Sequence, residues 1–253
     1  VALKLFQQNY LGISQQQQAP LEFAYSQVFP SNTGIISGID LNRDGQIRLP
    51  EDGFGYGLFP GQYAFALLSR YPIDVAQIRT FQYFLWRDMP NALLADKFYS
   101  KQACQILRLS SKNHAVVPLI LPFTRVHLLL SHPTPPVFDG AEKANARRNF
   151  DEIRLFADYI NPQTADYLYD DSGQYGGLAA DARFLILGDL NADPNKGESI
   201  DGAINQLLRH PLIHQQAADG SYTPRSNNSD HTASFQQGLR VDYVLPSKQL
   251  KVI

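Results

Sequence analysis

The sequence predicts a single α/β domain in which buried β-strands alternate with amphipathic helices. Four short apolar runs are typical of buried strands, and each is followed by polar or turn-forming residues. They occupy residues 63–69, 126–130, 184–187 and 241–245. The 253 residues are 44% hydrophobic and 18% charged, which favours one large core and disfavours disorder. No internal repeat or linker divides the chain, so residues 1–253 are expected to form one domain.

Helices are predicted between the strands. Residues 142–160 carry apolar side chains at helical spacing, and a second helix is expected to begin at the capping residue Ser199. The end of another helix is expected within residues 1–11. Residues 30–60 are rich in Gly, Pro, Asn and Asp and predict a long ordered loop, which is uncommon without a functional reason.

Charge and composition exclude several classes of protein. The net charge of −2 gives no general attraction for polyanions, so a nucleic acid would need a local patch or a bound metal. The single cysteine, Cys104, excludes an internal disulfide framework. No apolar run approaches the ~20 residues of a membrane-spanning helix.

The strand of residues 184–187 leads into the motif Gly188-Asp189-Leu190-Asn191. Asp189 and Asn191 are two residues apart, so they are expected on the same side of the strand end. A carboxylate and an amide oxygen placed together suit a hard divalent cation, or the positioning of a water molecule for attack on phosphorus. An Asx turn that closes the strand explains the same residues equally well.

Two other strands supply candidate catalytic side chains. His132 follows the run 126–130 and is a candidate to donate a proton or a hydrogen bond to a phosphoryl oxygen, although a lone histidine is more often structural. Asp242 lies inside an apolar strand, where an unpaired charge is costly. We therefore expect Asp242 to have a histidine or arginine partner.

The order of these motifs resembles the endonuclease/exonuclease/phosphatase superfamily, to which pancreatic deoxyribonuclease and bacterial sphingomyelinases belong. The resemblance covers nearly the whole chain. It rests on residues 61–73, Ser131-His132, residues 188–191 and Arg240-Val241-Asp242-Tyr243. It implies a four-layer α/β sandwich of two packed mixed β-sheets flanked by helices. Other segments, including residues 81–90 and 148–154, are similar to a secreted bacterial branch described as phytase-like.

The resemblance implies a divalent-metal-dependent phosphoester hydrolase in which water activated by Mg²⁺ or Mn²⁺ attacks phosphorus in line. Asp189 and Asn191 are then metal ligands or water-orienting groups, and His132 is a catalytic residue that contacts phosphate. Asp242 orients another histidine. The substrate class stays open between phosphodiesters, including nucleic acids, and phosphomonoesters. A non-catalytic calcium-stabilised binding module on the same fold is the alternative.

Two motifs of the superfamily have no counterpart at the matching place. The metal-binding glutamate would precede Val1, and the final Ser-Asp-His motif would follow the strand that contains Asp242. Ser229-Asp230-His231 has the same residues as this final motif but comes before Asp242, so we expect it to be unrelated to the motif. The sequence therefore predicts a domain that lacks its first strands and its last strand.

Residues 40–51 match the spacing of an EF-hand calcium loop, with Gly45 at the sharp turn. The expected ligands are Asp40, Asn42, Asp44, the carbonyl group of Gln46, and Glu51. A polar loop that only resembles the pattern is the alternative. Structural Ca²⁺ bound with weak to moderate affinity would rigidify the loop and would suit a secreted or periplasmic protein.

Arg148 and Asn149, near the start of the predicted helix, are candidates for substrate binding at the sheet edge, although capping and salt-bridge roles are more common. Trp86 and its aromatic neighbours suit either a base-stacking platform or the core. The roles of Lys112 and His114 stay open. A monomer is expected.

Overall fold

The computed structural model describes residues 2–222, 231–234 and 238–252. Seven strands are found there: β1 Tyr25–Val28, β2 Ala66–Ser69, β3 Arg79–Thr80, β4 His114–Leu121, β5 Thr124–Ser131, β6 Phe184–Asp189 and β7 Asp242–Pro246. The α-helices are α1 Ala2–Phe6, α2 Lys101–Ile106, α3 Ala144–Tyr159, α4 Asn205–Leu208 and α5 Gln215–Ala218. A π-helical turn spans Gln7–Leu11, and 3₁₀ turns span Val75–Gln77, Trp86–Asp88 and Ala165–Tyr167.

The strands form two sheets. The larger sheet is mixed and has the order β3-β4-β5-β6-β7, and the smaller sheet pairs β1 with β2 antiparallel. Within the larger sheet only β5 and β6 are parallel neighbours. The chain passes from β5 to β6 through α3, the kind of crossover connection that parallel strands require. Both strands therefore end at the same edge of the sheet.

Each face of the larger sheet has its own core. One face packs against α3 and α4 in a cluster that contains Trp86, Phe156 and Tyr159. The other face packs against the smaller sheet, where Phe29 and Leu67 contact apolar residues of β4 and β5. The predicted α/β sandwich of two packed sheets with flanking helices is confirmed. No helix among the described residues is long and apolar enough to cross a membrane.

Several elements differ from expectation. The sequence does not predict β4, because Pro118 is a residue that rarely occurs inside a strand. Pro118 is tolerated because β4 pairs with β3 only at Ala115 and Val116. The helix expected from Ser199 is only the single turn α4, because Gly202 has a φ of +83°, which interrupts helical geometry.

Trp86 is 1% exposed and belongs to the core, so it offers no base-stacking platform.

Candidate active site

One edge of the larger sheet brings the strand-end motifs together. The parallel strands β5 and β6 end there at Ser131 and Asp189, and the antiparallel strand β7 begins there at Asp242. His132 and Asn191 directly follow the two parallel strands. The four candidate catalytic residues therefore lie at one edge of the larger sheet.

Gly188 permits β5 and β6 to approach closely at this edge. Its φ is +155°, and a Cβ atom at this position would lie 2.0 Å from the carbonyl oxygen of Ser131. A larger residue would push the strand ends apart. The close approach leaves Nε2 of His132 3.8 Å from Oδ2 of Asp189.

Asp189 and Asn191 do form an Asx turn. The backbone N–H of Asn191 donates to Oδ1 of Asp189 at 2.9 Å, and Nδ2 of Asn191 donates to the carbonyl group of Pro133 at 3.1 Å. These bonds leave Oδ2 of Asp189 and Oδ1 of Asn191 without a hydrogen-bond donor among the described residues. The turn and a divalent cation are therefore compatible, because the turn leaves one side-chain oxygen of each residue without a hydrogen bond.

Asp242 lies directly opposite Asp189 in the β6–β7 ladder. Burial raises the pKa of Asp189, as does the charge of Asp242, while the N–H of Asn191 acts in the opposite direction. Asp242 is itself exposed, and its carboxylate has no histidine or arginine partner among the described residues. The expected partner is missing there because strand alternation places Asp242 on the open face of β7 and not in the core.

The nearby Arg240 is not that partner, because its guanidinium donates to the carbonyl groups of Ala217 and Ala218. Ser229 and Asp230 lie outside the described residues, so the expectation that this Ser-Asp-His sequence is unrelated stays a prediction.

His132 is a neutral imidazole at pH 7. Burial and then the charge of Lys112 lower its pKa to about 4, against the opposing effects of a hydrogen bond to the Tyr63 carbonyl group and of the charge of Glu152. At 3.8 Å a neutral ring makes no ion pair with Asp189. A neutral imidazole carries a hydrogen on only one ring nitrogen, so the other nitrogen is able to accept a proton.

Lys112 is a buried cation directly behind this edge. Its side chain is 5% exposed, and Nζ donates at 3.2 Å to the carbonyl group of Pro133, the same oxygen that accepts from Asn191. Burial lowers its pKa to about 8, so most of the population is protonated at pH 7. The sequence by itself did not assign a role to Lys112. The signal that identifies it is its position two residues before β4, which begins opposite Ser131.

Arg148 and Asn149, the candidates for substrate binding, are both buried. They are 9% and 0% exposed, and both side chains donate to backbone carbonyl groups. The acceptors are those of Leu109, Phe54 and Arg108 for Arg148, and those of Thr134 and Leu190 for Asn149. Substrate contact would require these buried bonds to break.

The loop of residues 40–51 folds around Asp40, whose carboxylate accepts hydrogen bonds from the N–H groups of Asp44 and Gly45. Arg48 lies 2.6 Å from Asp44 and 4.0 Å from Glu51, so a guanidinium contacts two of the expected calcium ligands. Within the described residues no group of three or more His, Cys, Asp or Glu side chains is arranged to hold a metal ion.

An open cavity of about 800 Å³ adjoins Asp189 and Asp242. Its wall beyond the two carboxylates is largely apolar and includes Leu185, Leu187, Val244, Pro246 and Leu250.

Residues 13–253 match the sequence model of the Endonuclease/Exonuclease/phosphatase family. The chain belongs to this family. This assignment confirms the resemblance drawn from the four motifs. The narrower resemblance to a secreted phytase-like branch is supported by none of the matches and stays a prediction.

Three solved structures are among those similar to this family member. Sphingomyelinase C from Streptomyces griseocarneus is 17% identical with a TM-score of 0.41, and the match covers 91% of this chain and 64% of that chain. A beta toxin mutant from Staphylococcus aureus with bound magnesium ions is 12% identical with a TM-score of 0.42, over 92% and 65%. The human Nocturnin catalytic domain is 10% identical with a TM-score of 0.38, over 88% and 60%. No curated protein matches the chain.

Proposed function

We propose that this member of the family hydrolyses phosphoesters at the sheet edge that carries His132, Asp189, Asn191 and Asp242. The observation that supports the proposal best is the 3.8 Å approach of a neutral imidazole to a carboxylate that has a second carboxylate directly opposite it. A proton acceptor beside a cluster of hard oxygen ligands is the combination that attack by water on phosphorus requires.

The oxygens at this edge fit a divalent cation such as Mg²⁺ or Mn²⁺. Asp189 and Asn191 each offer a spare side-chain oxygen, and the repulsion between Asp189 and Asp242 is relieved by a positive charge between them. When bound, such a cation lowers the pKa of water and polarises a phosphoryl oxygen. His132 accepts a proton and, once protonated, donates a hydrogen bond to a phosphoryl oxygen. Lys112 donates to the Pro133 carbonyl group, to which Asn191 also donates.

The test compares the full-length wild type with Asp189→Ala on an aryl phosphodiester, an aryl phosphomonoester and plasmid DNA, each with Mg²⁺ and with Mn²⁺. We expect Asp189→Ala to lose about 100-fold or more in turnover while its circular dichroism is unchanged. Asp181→Ala removes an exposed carboxylate elsewhere and serves as the matched control. The substrate that is turned over decides between phosphodiesterase or nuclease and phosphomonoesterase.

Equal turnover by the wild type and Asp189→Ala would exclude this site. Absence of turnover with every substrate and both metals would favour the non-catalytic calcium-stabilised binding module.

We also propose that residues 40–51 bind structural Ca²⁺ once Arg48 releases Asp44 and Glu51. A single loop of this type has weak to moderate affinity, which suits a secreted or periplasmic location where calcium is plentiful.

Fractionation of the native cells tests the secreted or periplasmic location. Gel filtration tests the expected monomeric state.

A further inference from the structure

Helix α3 directs a buried amide group at the two backbone segments that carry the candidate catalytic residues. Asn149 is 0% exposed, and its Nδ2 donates to the carbonyl group of Thr134 at 2.9 Å and to that of Leu190 at 3.0 Å. Thr134 lies two residues after His132, and Leu190 lies between Asp189 and Asn191. One amide group therefore joins the segment that follows β5 to the turn that follows β6.

These segments lie beyond the last paired residues of the parallel ladder. The register between β5 and β6 ends at Leu130 and Leu187, so the sheet pairs Asp189 with β7 but does not fix its separation from the segment that follows β5. The bond from Asn191 to the Pro133 carbonyl group is a second cross-link at the edge, but it uses a side chain that the proposed chemistry needs. Asn149 supplies a link that is independent of the candidate catalytic residues.

The orientation of the Asn149 amide is fixed by these bonds. Both hydrogens of Nδ2 are engaged, while the buried Oδ1 has no donor among the described residues. Buried acceptors without a partner are uncommon in folded proteins. A rotated amide would direct Oδ1 at two carbonyl oxygens, which repel it. The amide group therefore donates to both carbonyl groups, while its own oxygen accepts no hydrogen bond from the described residues.

Glu152, three residues later on α3, holds the same segment from the other side. Its carboxylate accepts a hydrogen bond from the N–H of Thr134 and others from the N–H and the hydroxyl group of Ser111. Both backbone polar groups of Thr134 are thus bound by side chains of α3. Two side chains of α3, those of Asn149 and Glu152, therefore fix the position of this segment relative to the helix.

We infer that Asn149 is a positioning residue that sets the separation of His132 from the pair Asp189 and Asn191 through the backbone and without contact to the substrate. The inference rests on the proposed phosphoester hydrolysis. Small displacements of reacting groups cost much of the rate, because the reaction needs a defined geometry.

Gln206 provides a matched control. Its Nε2 also donates to two backbone carbonyl groups, those of Phe150 and Ala203, but it joins α3 to α4. Asn149→Leu and Gln206→Met each replace an amide by an apolar side chain of similar shape. Asn149→Ser, which keeps one donor, is the second variant if Asn149→Leu does not fold.

We expect Asn149→Leu to lower kcat by about 10- to 100-fold. KM should change by less than about twofold, because no substrate contact is lost. Gln206→Met should leave both constants within about twofold of wild type even where its melting temperature falls equally. Asn149→Ser should lie between Asn149→Leu and wild type. An unchanged kcat in Asn149→Leu, or an equal fall in Gln206→Met, overturns the inference.

The imidazole resonances of His132, assigned with His132→Asn, give a readout that does not depend on turnover. Asn149→Leu should displace them and Gln206→Met should not. If the wild type hydrolyses no substrate, the proposed function fails and these resonances still decide whether Asn149 positions His132. Unchanged resonances in Asn149→Leu overturn the positioning role.

Discussion

Asp189, the last residue of β6, lies directly opposite Asp242, the first residue of β7. Opposite residues of an antiparallel pair place their Cβ atoms about 5 Å apart on the same face of the sheet, where like charges destabilise the pair. The pKa of Asp189 is accordingly raised, by burial and by the negative charge of Asp242. A pair of this kind is favourable only when a cation or a proton relieves the repulsion.

The first prediction concerns this pair. Asp242→Asn removes the neighbouring negative charge, so the pKa of Asp189 should fall from its raised value. The carbon resonance of the Asp189 carboxyl group, followed through a pH titration without divalent metal, measures the change. Asp181→Asn should leave that titration as it is in the wild type. A pKa of Asp189 that stays the same or rises in Asp242→Asn would contradict the electrostatic coupling.

The second prediction concerns the glycine of the motif. Gly188→Ala would place a methyl group 2.0 Å from the Ser131 carbonyl oxygen, so the strand ends must separate. We expect a loss of about 2–4 kcal/mol in the free energy of unfolding. Gly202→Ala is the control, because Gly202 also has a positive φ but has no atom within 4 Å of the added Cβ. It should lose about 1 kcal/mol, the cost of left-handed backbone for alanine. Equal losses in urea unfolding would mean that the contact with Ser131 is unimportant.

The third prediction concerns acid stability. Burial lowers the pKa of His114 from its ordinary value of 6.5 to about 4, while its ring nitrogens bond to the Ser110 hydroxyl group and the Glu152 carbonyl group. Because the unfolded chain binds the proton more readily, the stability contributed by the neutral ring is fully present above pH 6.5. It is lost as the pH falls towards 4, by about 3 kcal/mol.

His114→Asn has no titrating group at this position, so its free energy of unfolding should fall less between pH 7 and pH 4. Urea unfolding of both proteins at several pH values measures the difference, and the shared contribution of His132 cancels. Parallel pH profiles would show that His114 is not the acid-sensitive group.

The fourth prediction concerns the loop of residues 40–51. Calorimetric titration with Ca²⁺ should give binding heat for the wild type and none for Asp40→Ala. Arg48→Ala should bind Ca²⁺ about two- to fivefold more tightly, because the guanidinium that contacts Asp44 no longer competes with the ion. Absence of heat in the wild type, or unchanged heat in Asp40→Ala, would show that the loop only resembles a calcium site.

The sequence by itself determined the elements that depend on neighbouring residues. Helix α3 was predicted at residues 142–160 and spans Ala144–Tyr159, since its apolar periodicity is local. The strand-end position of Asp189 was predicted for the same reason, because an apolar run followed by Gly-Asp can be recognised without knowledge of the fold. The order of the motifs also predicted the family, and the match over residues 13–253 confirms it.

Only the tertiary structure decided which residues surround that motif. Lys112 reaches the Pro133 carbonyl group across 21 residues of sequence, and Asn149 reaches that of Leu190 across 41 residues. Such bonds depend on the order of strands in the sheet and on how α3 packs against it, and no local pattern encodes either. Alternation along β7 likewise assigned Asp242 to one of two faces, but only the packing of the sheet showed that this face is open. Periodicity specifies which side chains share a face, whereas the partners of a buried polar group are fixed by contacts between segments far apart in the chain.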